Sequence, residues 1–365
     1  MKTKIFNHNL YIFAAILIIG TACQEEIKFK SNQISSKMVV NSFIEPDSLI
    51  KVLIAGSKPI PGVISNFNWI DNATVKLFVD GEEKETLTTY TTNTNSNRDY
   101  SFNYNDTESN TTIGYCSSLK AEVGKTYKLE ITHPDYDNST CETYIPQAIE
   151  IISVDTATID YRNNWDYDRQ QLKVALKFKD PANEVNYYRL IAHLTQGIYI
   201  EKYYDKTVID SFVNVRESYI SIKDPVITPE QENANDFLFE TPGNPYNVFT
   251  DELIDGREYT VNFEITIPNF YRNEKIDYLS KGEFYQVKFL LQTLPRETYL
   301  FLKSSYDHHY YDGDLFAEPV QVFSNIENGL GIFGGQSNSV INISKGTYPM
   351  DNIDYRDNYY YNYGN

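Results

Sequence analysis

Few residues of this chain have types and spacings that could do chemistry. Of its 5 histidines, only His308 and His309 are neighbours in sequence. Adjacent residues on a helix point about 100° apart, so this pair needs outside partners before it can hold a metal. Asp312 and Asp314 lie just beyond, in the turn-forming run Tyr311-Asp-Gly-Asp. Calcium asks for about six or more oxygens, and the ordered calcium-loop pattern is absent, so a solvated acidic turn is expected there. Gly329-Leu330-Gly331-Ile332-Phe333-Gly334 matches G-x-G-x-x-G. That pattern serves a dinucleotide only between a strand and a helix, whose N-terminus meets the pyrophosphate. Here the residues after Gln336 (Ser-Asn-Ser-Val-Ile-Asn-Ile-Ser) read as strand-like and not helix-forming, so a glycine-permitted bend between paired strands is expected, with Ile332 and Phe333 plugging a core. Neither G-x-S-x-G nor H-E-x-x-H occurs. With 50 carboxylates, some acid pair will be close by chance, so composition neither supports nor excludes a glycosidase-like pair. No catalytic, metal-binding, cofactor-binding or ligand-contacting residue is therefore assigned, no cofactor is implied, and an enzyme is not expected.

The three cysteines are more informative. Ahead of Cys23 stand Lys2 and Lys4, an apolar run from Leu10 to Ile19, and the small residues Gly20, Thr21 and Ala22. A basic start, an apolar stretch of about 7–15 residues and a small-residue cleavage site describe an export signal. With Cys placed directly after that site, the segment resembles a bacterial lipobox, although Gly20 stands where Leu is usual. This implies cleavage before Cys23 and acylation of its sulfur and new amino group. The apolar run is shorter than the roughly 20 residues of a membrane span. Residues 1–22 are thus expected to be a signal peptide and 23–37, polar and without periodicity, a flexible tether. Cys116 and Cys141 would then enter an oxidising envelope, where disulfides persist. A bond between them would close a loop of about 25 residues, and a disulfide is expected there.

The elements that must position any site read as strands. Ile50, Val52 and Ile54 alternate with Lys51, Leu53 and Ala55; Val75, Leu77 and Val79 do likewise before an Asp80-Gly81 hairpin turn. Tyr127, Leu129 and Ile131 continue the pattern, with Thr140 to Ile145 as a return strand. Short strands at this spacing predict an immunoglobulin-like β-sandwich over 38–147, with Pro146 at its boundary. Leu172 to Phe178, Tyr259 to Ile267 and Tyr285 to Leu291 alternate more clearly still, predicting a β-rich domain over 148–349 of open topology. One or two short helices are expected within it. One starts at Thr228-Pro229-Glu230-Gln231, and one follows Pro295 to about His308. The tail 350–365 has no apolar periodicity and is expected to be disordered. The fold class is therefore mainly β.

Composition sets limits. With 41 % hydrophobic and 15 % aromatic residues the chain buries proper cores. Its 31 Tyr suit half-buried strand faces and recognition surfaces alike. The formal charge is −18, and loss of Lys2 and Lys4 makes it more negative. That balance, without any basic cluster, excludes nucleic acid as a partner and disfavours anionic lipid headgroups.

The run from Phe316, Phe-Ala-Glu-Pro-Val-Gln-Val-Phe-Ser-Asn-Ile-Glu-Asn-Gly-Leu-Gly-Ile-Phe-Gly, resembles the C-terminal signature of a Bacteroidota outer-membrane lipoprotein family, domain of unknown function 4249. Met38-Val-Val-Asn-Ser-Phe-Ile, Asn72-Ala-Thr-Val-Lys-Leu and Gly124-Lys-Thr-Tyr-Lys-Leu-Glu-Ile extend the resemblance in order along the chain. The resemblance implies a lipoprotein of the outer membrane, often encoded beside a TonB-dependent receptor, and it carries no catalytic residues. In such organisms Gln24-Glu25-Glu26 resembles the acidic signal for surface exposure, and Asp47-Ser48-Leu49 and Asp155-Thr156-Ala157 resemble glycosylation sites. The expected role is a non-enzymatic binding or accessory subunit of a TonB-dependent nutrient transporter. It would be lipid-anchored at the cell surface, with a small molecule, peptide or glycan as ligand. The alternatives are a structural, adhesive or envelope-assembly lipoprotein, and a carboxylate-dependent envelope hydrolase.

Overall fold

The structure, a computed structural model, describes residues 35–57, 68–93, 111–162, 168–202, 208–222, 224–227, 244, 246–268, 279–311 and 320–345. Every element lies in one compact unit, Lys37–Ser57 with Ser65–Asn365; the other unit, Met1–Ser36 with Lys58–Ile64, holds only Ser35 and Ser36 of the described residues. The described chain is mainly β, with several sheets and one helix. No helix among the described residues is long and apolar enough to cross a membrane. The expected signal peptide, Cys23, the tether up to residue 34, the helix at Thr228, the Asp312–Asp314 turn and the tail all lie outside the described residues.

Among the described residues, nine strands consecutive in the chain form the first sandwich, which a later strand joins: β1 (Met38–Ile44), β2 (Leu49–Gly56), β3 (Asn68–Trp69), β4 (Thr74–Val79), β5 (Glu82–Thr86), β6 (Thr88–Asn93), β7 (Thr111–Lys120), β8 (Thr126–His133) and β9 (Tyr136–Tyr144). One sheet runs β1-β2-β7-β6, with β3 paired to β2, and the other runs β5-β4-β8-β9. In immunoglobulin lettering this is A-B-E-D facing C′-C-F-G. The period-2 alternation turns Val40, Ile50, Val52, Ile54, Val75, Leu77, Leu129 and Ile131 into one shared core. Asp80 and Gly81 both take positive φ, 50° and 82°, as a two-residue hairpin turn requires. At the E–F corner the Tyr127 hydroxyl accepts a 2.6 Å hydrogen bond from the Glu122 backbone N–H. A tyrosine at the start of strand F bonded back to upstream backbone is the tyrosine corner of such sandwiches.

The second sandwich comprises β10 (Ile151–Arg162), β11 (Asp168–Lys179), β12 (Tyr187–Lys202), β13 (Val208–Glu217), β14 (Ile220–Ile222), β15 (Val248–Thr250), β16 (Glu258–Pro268), β17 (Leu279–Leu294) and β19 (Ser337–Lys345). Its sheets are β10-β11-β16-β14 and β13-β12-β17-β19, with β15 paired to β12. In chain order this is again A-B-E-D facing C′-C-F-G, so the topology left open by the sequence repeats that of the first sandwich. Leu172, Val174, Leu176 and Phe178 meet Val287, Phe289 and Leu291 in its core.

Between its F and G strands the second sandwich carries an insertion. It opens with α1 (Arg296–Tyr311), begun after Pro295 as expected and one turn longer than expected. It ends with β18 (Leu330–Gly335), which leaves the second sandwich and pairs in parallel with β1, from Val39↔Leu330 to Ile44↔Gly335. The G-x-G-x-x-G run is therefore an edge strand leading into β19, and no helix follows it. Gly331 has φ +98°, and a side chain there would collide with the Val40 carbonyl. Ile332 and Phe333 are fully buried, Phe333 in the core of the first sandwich.

Candidate functional site

A solvent-open cleft of about 400 Å³ lies where the insertion meets the first sandwich. Strand β9 supplies Glu142, Thr143 and Tyr144, the first turn of α1 supplies Arg296 and Glu297, and the chain ahead of β18 supplies Phe323 and Asn325. A short chain of hydrogen bonds fixes these elements together. The Thr143 hydroxyl donates to Glu297 Oε1 at 2.9 Å and accepts from the Gly335 N–H at 3.0 Å. The Thr298 hydroxyl donates to the Gly335 carbonyl at 3.1 Å. Asn325 donates to the Glu142 carbonyl at 3.0 Å. Burial pushes the Tyr144 phenol above its ordinary value, helped by the negative charges of Glu297 and Glu184. The cleft thus presents one guanidinium, two carboxylates and two aromatic rings on a braced frame. That set suits recognition of a polar ligand through hydrogen bonds and ring faces.

A second cluster lies in the second sandwich, where Asp180, Asp251 and Asp255 bring carboxylate oxygens within 4.8 Å of one another. Protein donors engage all three. Asp180 accepts from the Tyr188 hydroxyl at 2.5 Å and the Gly256 N–H at 2.8 Å, Asp251 from the Asn186 N–H, and Asp255 from the Asn183 N–H. Burial raises the Asp180 carboxyl, and the charges of Asp251 and Asp255 add to that. The cluster ties two loops together, and nothing in it points to a ligand.

The sequence-derived candidates fare differently. Cys116 and Cys141 are free thiols, so the expected disulfide is not formed. Cys116 sits on β7, strand E, between inward-facing Tyr115 and Ser117, and so points away from the core. Cys141 sits on β9, strand G of the opposite sheet, and points into the core. An inter-sheet bridge needs both thiols turned into the core, and only Cys141 is so turned. His308 lies in the last turn of α1, its Nδ1 2.7 Å from the Val320 carbonyl, and among the described residues neither it nor His309 joins a metal-ligand cluster. Both the cleft and the aspartate cluster escaped sequence reasoning, because each gathers residues from segments far apart along the chain.

No curated protein matches this chain. Among solved structures, a biofilm-associated protein (BSP domain) aligns with TM-score 0.18 and 9 % identity, covering 84 % of this chain. This chain spans 58 % of that one. The family model for a domain of unknown function, DUF4249, matches residues 24–341. The run from Phe316, the β1 and β4 segments and the Tyr127 strand that carried the resemblance all fall inside that match, and the chain belongs to the DUF4249 family.

Proposed function

We propose that this protein is an outer-membrane lipoprotein, anchored through Cys23 and exposed at the cell surface. It serves as a non-enzymatic binding or accessory subunit of a TonB-dependent nutrient transporter. The observation that carries the reading is the export segment ending at Cys23: basic Lys2 and Lys4, the apolar run to Ile19, then small residues directly before the cysteine. The family match supports it by starting at residue 24, immediately after that cysteine. A lipid anchor followed by a polar tether confines the two sandwiches near their partner and raises effective concentration. The cleft between β9 and α1 supports ligand contact through Tyr144, Phe323 and Arg296.

The test is a mild-detergent pull-down of the tagged, lipidated protein from its native membrane, with partners identified by mass spectrometry. Stoichiometric recovery of a TonB-dependent receptor is expected. Recovery of the protein alone, from membranes with intact receptors, would overturn the accessory role. The anchor is tested separately, because Cys23→Ala should yield an unprocessed or soluble protein. Unchanged membrane fractionation of that variant would refute the lipoprotein reading.

A further inference from the structure

The parallel pairing of β1 with β18 sets the route by which tension would cross the molecule. β1 is the first strand among the described residues, and β18 is joined through Gln336 alone to β19. The two strands run in the same direction in register over six residue pairs, Val39↔Leu330 to Ile44↔Gly335. A load applied between Lys37 and Lys345 would pull β1 toward its N-terminal end and, through Gln336, β18 toward its C-terminal end. For parallel neighbours these pulls are opposed along the strand axis and run across the hydrogen bonds. All the bonds of the pair must then yield together, whereas a hairpin pulled at its open end gives way one bond at a time.

We propose that β18 is a mechanical clamp, which holds the tethered end of the chain in shear and shields both sandwiches from tension. The bracing of β18 fits this role. The Asn325 side chain engages the N–H and carbonyl of Phe333 on the flank away from β1. By strand alternation, Ile332 and Gly334 therefore direct their backbone groups at β1. Gln336 continues that line with a 2.9 Å bond to the Ile44 carbonyl. On β1 itself, Met38, Val40, Ser42 and Ile44 are buried, so sliding the strand would also drag four side chains out of the core. The backbone ladder with β2 covers only Met38 to Asn41, so the second half of β1 is paired along its backbone to β18, while the Ser42 hydroxyl still donates to the Lys51 carbonyl of β2 at 2.8 Å. The anchor reading supplies only the N-terminal end of the load. The clamp stands or falls on the unlipidated chain, so failure of one is distinguishable from failure of the other.

The experiment is single-molecule force spectroscopy on the full unlipidated chain in two geometries. Handles at residues 37 and 345 load β1 against β18 in shear, and handles at residues 37 and 57 open the β1–β2 hairpin from its end. The expected result is a severalfold higher first rupture force in the shear geometry, followed by release of the length held between β1 and β18. Asn325→Ala should lower that force and leave the hairpin geometry unchanged. Equal first rupture forces in the two geometries, or release of length from either sandwich before the high-force event, would overturn the proposal.

Discussion

The Asn325 side chain stands in for a neighbouring strand beside Phe333. Its Oδ1 accepts the Phe333 N–H at 3.0 Å, and its Nδ2 donates to the Phe333 carbonyl at 2.8 Å. The same Nδ2 donates to the Glu142 carbonyl on β9, so one amide closes the gap between the two sheets of the first sandwich. Asn325→Ala strands a backbone donor and acceptor next to a fully buried ring. It should cost about 1–3 kcal/mol, read from the denaturant midpoint. Asn325→Asp is expected to be no rescue, because it sets a carboxylate against two carbonyl oxygens. An unchanged midpoint in the alanine variant would show that the bracing is dispensable.

How far this was legible in the sequence depends on which kind of neighbour is asked about. Alternation along Leu172–Phe178 or Tyr285–Leu291 says which face is buried, and those residues are buried. It says nothing of which strand lies alongside. The β1–β18 pair and the repeated strand order, both set by pairings distant in sequence, were therefore not readable. Proximity in the cleft, where Thr143 meets Glu297, has the same origin. The unpaired state of the cysteines was within reach, since the period-2 pattern through Tyr115 and Ser117 already turns Cys116 outward. The tyrosine corner needed only the strand order, which would have marked Tyr127 as the start of strand F.

That corner yields a second prediction. Tyr127→Phe keeps the ring in the core and removes the acceptor for the Glu122 N–H. The expected loss is about 1 kcal/mol of stability, with faster hydrogen exchange at the Glu122 amide. Exchange at the wild-type rate would mean that the bond does not hold the E–F turn.

The aspartate cluster gives stability a pH dependence whose sign can be worked out. The folded-state pKa of Asp180 is raised above its ordinary 3.8, first by burial and then by Asp251 and Asp255. The folded protein therefore holds this proton more tightly than the unfolded chain does. The resulting stabilisation is complete below 3.8 and is lost as pH rises through the folded value. Asp180→Asn, neutral at every pH, lacks that slope. Relative to wild type, the variant should be least stable in acid and recover as the pH approaches neutrality, as read from unfolding midpoints on either side of the window. A constant difference between the two proteins would show that the carboxylate does not titrate across it.

The cysteines allow the sharpest solution test, because reactivity follows the thiolate and not the thiol. Cys141 is 4 % exposed, and burial pushes its thiol up to about 12. Cys116 lies on the outer side of β7 and is partly exposed. In a Cys23→Ser chain without reductant, a thiol reagent should therefore label Cys116 quickly in the native state. Cys141 should be labelled only as fast as the first sandwich opens, so denaturant should bring its rate up to that of Cys116. The two labelling rates then report two different things, surface access at strand E and opening of the core at strand G. If denaturant without reductant exposed no thiol at all, the cysteines would be joined, and the outward orientation of Cys116 on strand E would have to be wrong.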